Sequence, residues 1–351
     1  MARKIKVVFI LLLLVFLTAA MTGYQVVKEG SIRELYEDVT FMRIATEARQ
    51  YISQIEYGIK NGRQLDNFFN MQETLKGVQG CSSYMEGAYV VSAGAKLLYQ
   101  RGIEADSLNL DLPPDGQDLG GELFTVREEG PYFYLTSPIQ KAGGGIEGYL
   151  IMCIGQNAVN NAVSEYNHQN KIQSLLIAVE IFGAALLMIA RVKPEGKNLA
   201  LRLMLVLSLA VTTAAVVDAA MVCTRFYQIV DDATTQTANK MAQALQSQVD
   251  SVVEKGVPAA RIYDLNGWLA QNSSEMDIVT SFNLERNNKI TANVDQEYIK
   301  GFLYRLLVRS ALFVFVTLLG GLVACGSLLL LGRRTTGWKF YAREKGIEYG
   351  L

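Results

Sequence analysis

The stretch Tyr132–Gly155, YFYLTSPIQKAGGGIEGYLIMCIG, contains two apolar runs of strand length on either side of three consecutive glycines. The runs Tyr132–Gln140 and Gly148–Gly155 are rich in aromatic and β-branched residues, which favour strands. Glycine is the usual turn residue because it tolerates a positive φ angle. The stretch therefore predicts two antiparallel strands joined by a turn at Gly143–Gly145.

Three further strands are predicted before this hairpin. Glu86–Gln100 indicates two short strands around a turn at Ser92–Gly94, and Leu123–Glu128 indicates a third. Between them, Asp111–Gly121 contains two prolines and three glycines, which is typical of a loop. The sequence thus predicts a five-stranded antiparallel sheet.

A long amphipathic helix is predicted before the sheet. Apolar residues recur mostly at three- and four-residue steps from Ile32 to Ile59, and the turn Asn61-Gly62 ends the pattern. A second helical piece, Leu65–Val78, follows this turn. The first domain therefore begins with a long helix, a short helix and a hairpin.

The same opening occurs again later in the chain. A helical pattern runs from Phe226 to Val252 and ends at Lys255-Gly256, and Ala259–Ala270 follows as a short helix. Met276–Asn293 then predicts a hairpin. The later strands have no counterpart, so we expect a smaller, reduced copy that packs on the first domain or on a second subunit.

Four charge-poor apolar stretches predict membrane-spanning helices, because a helix needs about 20 mostly apolar residues to cross a bilayer. Lysines and arginines flank these stretches on one side, which predicts a multi-pass protein of the plasma membrane with both termini in the cytoplasm. A cleaved signal peptide is the alternative for the first stretch. The predicted order is a cytoplasmic start and first transmembrane helix (1–27), an extracytoplasmic sensor domain (28–171), a second transmembrane helix (172–190), a cytoplasmic loop (191–198), a third transmembrane helix (199–222), the reduced extracytoplasmic domain (223–309), a fourth transmembrane helix (310–332) and a cytoplasmic tail (333–351).

Two acidic residues interrupt these apolar stretches. Ionisable groups inside a membrane are costly and usually face a protein partner, so both are candidate functional residues. Glu180 is expected to pair with Arg309 or with a basic residue of another protein. Asp218 is expected to reach the outer membrane interface.

The composition disfavours catalysis. The 351 residues include one histidine, His168, and four cysteines, with a net charge of −1. A histidine zinc cluster or a hydrolytic triad cannot be assembled from these residues, and no glycine-rich phosphate loop or paired CxxC motif is present. We therefore expect a protein that is not an enzyme, with no metal site, no cofactor and no nucleic-acid partner. Cys81 and Cys153 could form a disulfide in an oxidising compartment or could be two buried thiols.

The predicted arrangement resembles the Cache family, the PAS-like extracytoplasmic sensor domains of bacterial membrane receptors. Thr136–Ile139, the glycine turn and Gly145–Ile154 are similar to the family's penultimate strand, hairpin and last strand, and Ala88–Gln100 is similar to its first hairpin. Many members carry an aspartate near the end of the last strand, where this chain has Cys153. The arginine, tryptophan and aspartate pattern of amino-acid-binding members is not recognisable, so an amino-acid ligand is unsupported.

The resemblance implies an α+β sensor that binds a small molecule between the sheet and the loop Asp111–Gly121. Its output is expected to pass through its transmembrane helices to a separate effector or transporter, or to a second copy in a homodimer. The alternative is a membrane scaffold or accessory subunit of an envelope complex, which should show a filled core instead of a solvent-reachable cavity. The candidate ligand-binding residues are Tyr89, Tyr99, Arg127, Tyr132, Tyr134 and Thr136. Tyr132 and Tyr134 share one face of a strand, and packing in the core is their alternative role.

Overall fold

The computed structural model describes residues 2–104, 124–141, 143–191, 199–258, 261–262, 264–274, 276, 278–285, 289–312, 315–316 and 319. The chain divides into two compact units. The first, here called the helical unit, comprises Met1–Ile32, Tyr166–Phe226 and Leu303–Leu351. The second, the sheet unit, comprises Arg33–Glu165 and Tyr227–Phe302.

The elements follow one another in an order close to that predicted. They are α1 (Ala2–Lys60), a 3₁₀ turn (Leu65–Asn67), α2 (Met71–Gln79), β1 (Met85–Ser92), β2 (Leu97–Gly102), β3 (Thr125–Glu129), β4 (Tyr132–Gln140), β5 (Ile146–Gly155), α3 (Gln156–Arg191), α4 (Leu199–Glu254), α5 (Leu265–Ser274), β6 (Val279–Leu284), β7 (Ile290–Val294) and α6 (296–312).

The five-stranded antiparallel sheet is confirmed, with the strand order β2-β1-β5-β4-β3. The last strand of the sequence, β5, is therefore central, while β2 and β3 lie at opposite edges. Pro138 of β4 lies beyond Thr136, the last residue of β4 that pairs with β3. At that position β4 has one open edge, where a residue without an N–H donor is tolerated.

Both faces of the central strands are buried, which explains why their sequences are almost continuously apolar. One face packs against α1 and α2, and we call it the helix-side face; its residues include Ala88, Val90, Phe133, Leu135, Leu150 and Met152. The opposite face, which we call the tyrosine face, consists of Tyr89, Val91, Tyr134, Tyr149, Ile151 and Cys153.

The sheet unit contains an internal repeat with a constant offset. Its two copies each consist of a long helix, a short helix and a β-hairpin, and corresponding landmarks lie 194 positions apart. The matched pairs are Lys60 and Glu254 at the ends of the long helices, Gly62 and Gly256 in the turns, Asn70 and Asp264 before the short helices, Met71 and Leu265 at the first residues of those helices, and Met85 and Val279 at the first residues of the strands.

The backbone conformations of the two copies match as well. Gly62 and Gly256 have φ angles of 87° and 92°, and both follow directly after a long helix. Such a left-handed glycine ends a helix by turning the chain away from it. Asn70 and Asp264 also have positive φ angles, of 61° and 52°.

The second copy has a hydrophobic core of its own within the sheet unit. Leu245 and Val249 of α4 pack with Leu269 of α5, Phe282 of β6 and Ile290 of β7. This copy has two strands, β6 and β7, paired antiparallel. Among the described residues, no strand corresponds to β3, β4 or β5 of the first copy.

The prediction of four membrane-spanning helices is overturned. In the part of the chain that the structure describes, no helix is both long enough and apolar enough to cross a bilayer. Helices α1, α3 and α4 are 59, 36 and 56 residues long, and they mix apolar turns with charged side chains such as Lys28, Lys171 and Asp218. Most of the fourth predicted stretch, 310–332, lies outside the described residues. The predictions of a multi-pass topology, a plasma-membrane localisation and an extracytoplasmic placement depended on those helices and are overturned as well.

Candidate ligand-binding site

Five of the six predicted ligand-binding residues lie on the tyrosine face or its extension across the sheet. Tyr134 of β4 lies opposite Arg127 of β3, and Thr136 lies between Thr125 of β3 and Ile151 of β5. Tyr89 of β1 also lies opposite Ile151, so it shares this face. Tyr132 lies on the same face as Tyr134, because side chains of a strand return to one face at every second residue.

Most of these side chains already have partners within the sheet unit. The Tyr89 hydroxyl donates a hydrogen bond to the carbonyl of Ile103 at 2.7 Å, and the side chain is fully buried. The rings of Tyr132 and Tyr134 meet edge to face with centroids 6.2 Å apart. These contacts favour a packing role for the tyrosines.

Arg127 lies beside this aromatic pair. Its guanidinium carbon is 5.6 Å from the centroid of the Tyr134 ring, and its Nη2 is 3.0 Å from Oε2 of Glu129. Burial raises the pKa of Tyr134 to about 12, so its hydroxyl is neutral at physiological pH. Arg127 and Tyr134 therefore form a cation–π pair at the edge of the face.

Tyr99 lies on the other side of the sheet. It pairs with Val90, whose side chain packs on the helix-side face, and its hydroxyl accepts a hydrogen bond from the Phe68 N–H at 2.8 Å. Tyr99 thus holds the 3₁₀ turn against the sheet. It is not on the tyrosine face.

The loop that was expected to cover the ligand, Asp111–Gly121, lies outside the described residues. The strands that precede and follow it, β2 and β3, are the two edges of the sheet.

Cys81 and Cys153 are free and buried. Cys81 belongs to the core on the helix-side face, whereas Cys153 lies on the tyrosine face, so the sheet separates them. Burial raises the pKa of each thiol to about 12. Of the two alternatives, the structure has two buried thiols and no disulfide between them.

A cleft of about 930 Å³ lies within the sheet unit between the two copies of the repeat. Its size is in the range of small-molecule sites, and it is open to solvent. The polar wall is formed mainly by α1 and the β4–β5 turn, with Arg49, Gln50, Ser53, Glu56, Gln140 and Lys141. The apolar wall comes from the second copy, with Leu245, Val249, Val252, Ile262, Trp268 and Met276.

The polar wall is held in place by charge-assisted bonds. Glu56 pairs with Arg49, with 3.3 Å between Oε2 and Nη2, and both side chains are largely buried. The other oxygen of Glu56 accepts a hydrogen bond from the Gln140 N–H at 2.9 Å. Glu56 thus links α1 to the β4–β5 turn, and a preformed polar wall costs little ordering when a ligand binds.

A separate contact joins the two copies through their long helices, α1 and α4. Glu47 of α1 is buried, and its two carboxylate oxygens lie 3.1 and 3.0 Å from Nζ of Lys240 on α4. The Thr237 hydroxyl donates a further hydrogen bond to Glu47 at 3.3 Å. Helices α1 and α4 are therefore joined by a specific polar contact.

Asp218 was predicted to reach the outer membrane interface, but its side chain is buried in the helical unit. Its Oδ2 is 3.0 Å from Nζ of Lys28, and both side chains are 3% exposed. Ser174 hydrogen-bonds to both groups, so α1, α3 and α4 each supply one member. Burial lowers the pKa of Lys28, although the Asp218 carboxylate opposes this shift. The side chain of Glu180, in contrast, is exposed.

Comparison of the chain with protein-family models, with curated proteins and with solved structures finds no match. The similarity to Cache domains therefore remains a prediction from the sequence.

Sequence reasoning missed the cleft and the Lys28 pair for different reasons. The cleft needs the spatial relation of α1 to α4 and α5, which no local pattern specifies. Lys28 and Asp218 did carry a signal, because each is a charged residue bordering or interrupting an apolar stretch and their signs are opposite.

Proposed function

We propose that this protein is a small-molecule sensor that binds its ligand in the cleft between the two copies and passes the bound state through its long helices to a separate partner protein. The observation that carries the proposal is the composition of the cleft, where α1 supplies much of one wall and α4 and α5 supply the other. A molecule in this position contacts both helices at once.

The physical basis of such sensing is differential affinity. A ligand shifts a conformational equilibrium only if it binds two arrangements unequally, and typical coupling energies are about 1–3 kcal/mol. A ligand that bridges the walls favours one spacing of α1 and α4. The Glu47–Lys240 contact joins the same two helices and is placed to respond to that spacing.

The cleft also suggests the type of ligand. Trp268, Met276 and the aliphatic residues offer an apolar surface, while Arg49, Glu56 and Lys141 provide charged groups on the facing wall. A compact molecule with an apolar body and one polar or ionic end fits this division.

A thermal-shift experiment on the full chain tests the proposal. The probes are aromatic and branched-chain carboxylic acids together with the amines of the same carbon skeletons. A ligand at about 100 times its Kd stabilises a protein by about 2.7 kcal/mol, which is readily measured as a rise in Tm. Ala244→Trp places a large ring in the cleft, while Gln243→Trp, at the adjacent exposed position, is the matched control.

We expect the rise in Tm to disappear in Ala244→Trp and to persist in Gln243→Trp. Hydrogen exchange should show that the bound ligand protects the backbone amides of both α1 and α4. A ligand that stabilises Ala244→Trp as strongly as the wild type binds elsewhere, and a panel without any stabilising member favours the scaffold alternative.

A further inference from the structure

Strand β6 has an unpaired edge. It is hydrogen-bonded to β7 on one side, and no other strand among the described residues pairs with it. Its counterpart in the first copy, β1, is paired on both sides, by β2 and by β5. An open strand edge exposes alternate N–H and C=O groups and is a template for a further strand.

The side chains of β6 do not protect this edge. The strand, VTSFNL, contains no charged residue and no proline, which are the usual means of preventing pairing between chains. The edges of the five-stranded sheet differ, because β2 carries Arg101 and β3 carries Arg127, Glu128 and Glu129. Within the sheet unit, the protection found on β2 and β3 is missing from β6.

The outer edge of β7 is partly occupied. The N–H of Ile290, at the start of β7, donates a hydrogen bond of 2.7 Å to Oε1 of Gln246 on α4. A side chain of the same chain therefore covers the place where an additional strand on β7 would begin. The edge of β6 is the better candidate for pairing.

We propose that β6 pairs in antiparallel fashion with β6 of a second copy of this chain, giving a continuous four-stranded sheet across a twofold axis. Such an axis places a strand against itself, so a charge at the axis lies opposite the same charge on its mate. The neutral sequence of β6 is free of this repulsion. Ser281 and Asn283 share the face away from the core; Ser281 Oγ accepts a hydrogen bond from Asn293 of β7 at 3.0 Å, and Asn283 provides an exposed polar group that can bond across the axis.

The hairpin is stable without a strand partner, because β6 and β7 pack against α4 and α5 in the core of the second copy. Phe282 anchors β6 in the second core, so the strand is already ordered before it pairs. The pairing uses a surface separate from the cleft and does not depend on the proposed sensor function.

The mass of the full chain, measured by light scattering over a dilution series, tests the pairing. Asn283→Lys places an exposed cation on β6 in both copies, close to its mate across the axis. Asn293→Lys is the matched control, because Asn293 is exposed on the same face but lies on β7, one strand further from the axis. We expect the dimer dissociation constant to rise about tenfold or more for Asn283→Lys and to change little for Asn293→Lys.

A cross-linking experiment gives an independent readout that does not rely on the strength of association. With the axis at Asn283, the same residue as in the lysine test, Asn283→Cys made together with Cys325→Ser should form a disulfide-linked dimer, because opposed residues of paired strands have Cβ atoms about 4.5–5.5 Å apart. Asn293→Cys in the same background should remain uncross-linked. A wild-type chain that is monomeric at every concentration, or a dimer that both lysine variants leave intact, would overturn the proposal.

Discussion

Asn70 and Asp264, 194 positions apart, occupy the same structural position in the two copies, with φ angles of 61° and 52° immediately before α2 and α5. Few residues other than glycine, asparagine and aspartate adopt this left-handed conformation without strain. The two residues differ in one respect. The Asp264 carboxylate accepts a hydrogen bond from the Gly267 N–H at 3.2 Å, whereas the side chain of Asn70 does not cap α2.

This difference predicts unequal effects of the same substitution. Asn70→Ala should destabilise the protein by about 1 kcal/mol, because alanine is strained at positive φ. Asp264→Ala should cost about 1 kcal/mol more, because it also removes a helix cap. Asn70→Gly, which relieves the strain and loses no cap, should be neutral or stabilising. Thermal denaturation of the three variants measures the order, and equal losses for both alanine variants would contradict it.

The Lys28–Asp218 pair predicts that replacing both partners destabilises the protein less than replacing one of them. Asp218→Asn leaves the buried Lys28 without its counter-charge and should cost about 3–5 kcal/mol. Replacing both partners, by Lys28→Met with Asp218→Leu, should recover most of that loss, because apolar residues need no desolvation of charge. Chemical denaturation measures both, and a double variant weaker than either single variant would refute this account.

The same pair predicts a pH dependence. The folded-state pKa of Lys28 is below its ordinary value of 10.5, so the unfolded chain binds more protons in the window between the two values. The contribution of Lys28 to stability therefore rises with pH through this window. The rise should be steeper in Asp218→Asn, where the anion that favours the charged lysine is gone. Urea titrations at several alkaline pH values measure the slope, with Lys28→Met as the control that should abolish it.

The Glu47–Lys240 contact predicts an asymmetry between its two partners. Glu47 is 5% exposed and Lys240 is 56% exposed, so loss of the lysine strands a buried carboxylate, while loss of the glutamate leaves a lysine in water. Lys240→Met should therefore cost about 1–3 kcal/mol and Glu47→Met less. Methionine is a suitable replacement for Glu47, because Met241, 194 positions later, stands at the equivalent position of the second copy. A double-mutant cycle measured by urea denaturation checks this order.

The buried thiols predict resistance to alkylation. Because the pKa of Cys81 and of Cys153 is raised to about 12, both remain neutral and shielded in the folded protein at pH 8. Iodoacetamide should label neither peptide until urea is added, as mass spectrometry can show. Neutral buried thiols favour the folded state, and this contribution is complete below the ordinary pKa of 9.0 and declines as the pH rises towards about 12.

Local sequence patterns were sufficient for most elements of the sheet unit. The apolar run of β4 predicted its bounds, Tyr132–Gln140, and Gly62 and Gly256 marked the ends of the long helices. These features depend on side-chain alternation and on backbone freedom at single residues. Such properties are local and can be recognised without knowing the tertiary structure.

Features that depend on pairing between distant segments could not be predicted in the same way. The central position of β5 follows from two interfaces, with β1 and β4, that no local pattern encodes. The placement of Tyr99 on the helix-side face follows from its pairing with Val90 in the neighbouring strand. The membrane prediction relied on counts of apolar residues within short windows, and no helix in the described part of the chain is long and apolar enough to cross a bilayer.

The constant spacing between the two copies has an evolutionary consequence. A single offset over the stretch from the ends of the long helices to the first strands is what a tandem duplication leaves when neither daughter has since gained or lost a residue there. Among the described residues, the second copy shows that a long helix, a short helix and a hairpin form a hydrophobic core without counterparts of β3, β4 and β5. For a substitution between the end of α1 and the start of β1, the same molecule therefore carries a natural comparator in the second copy.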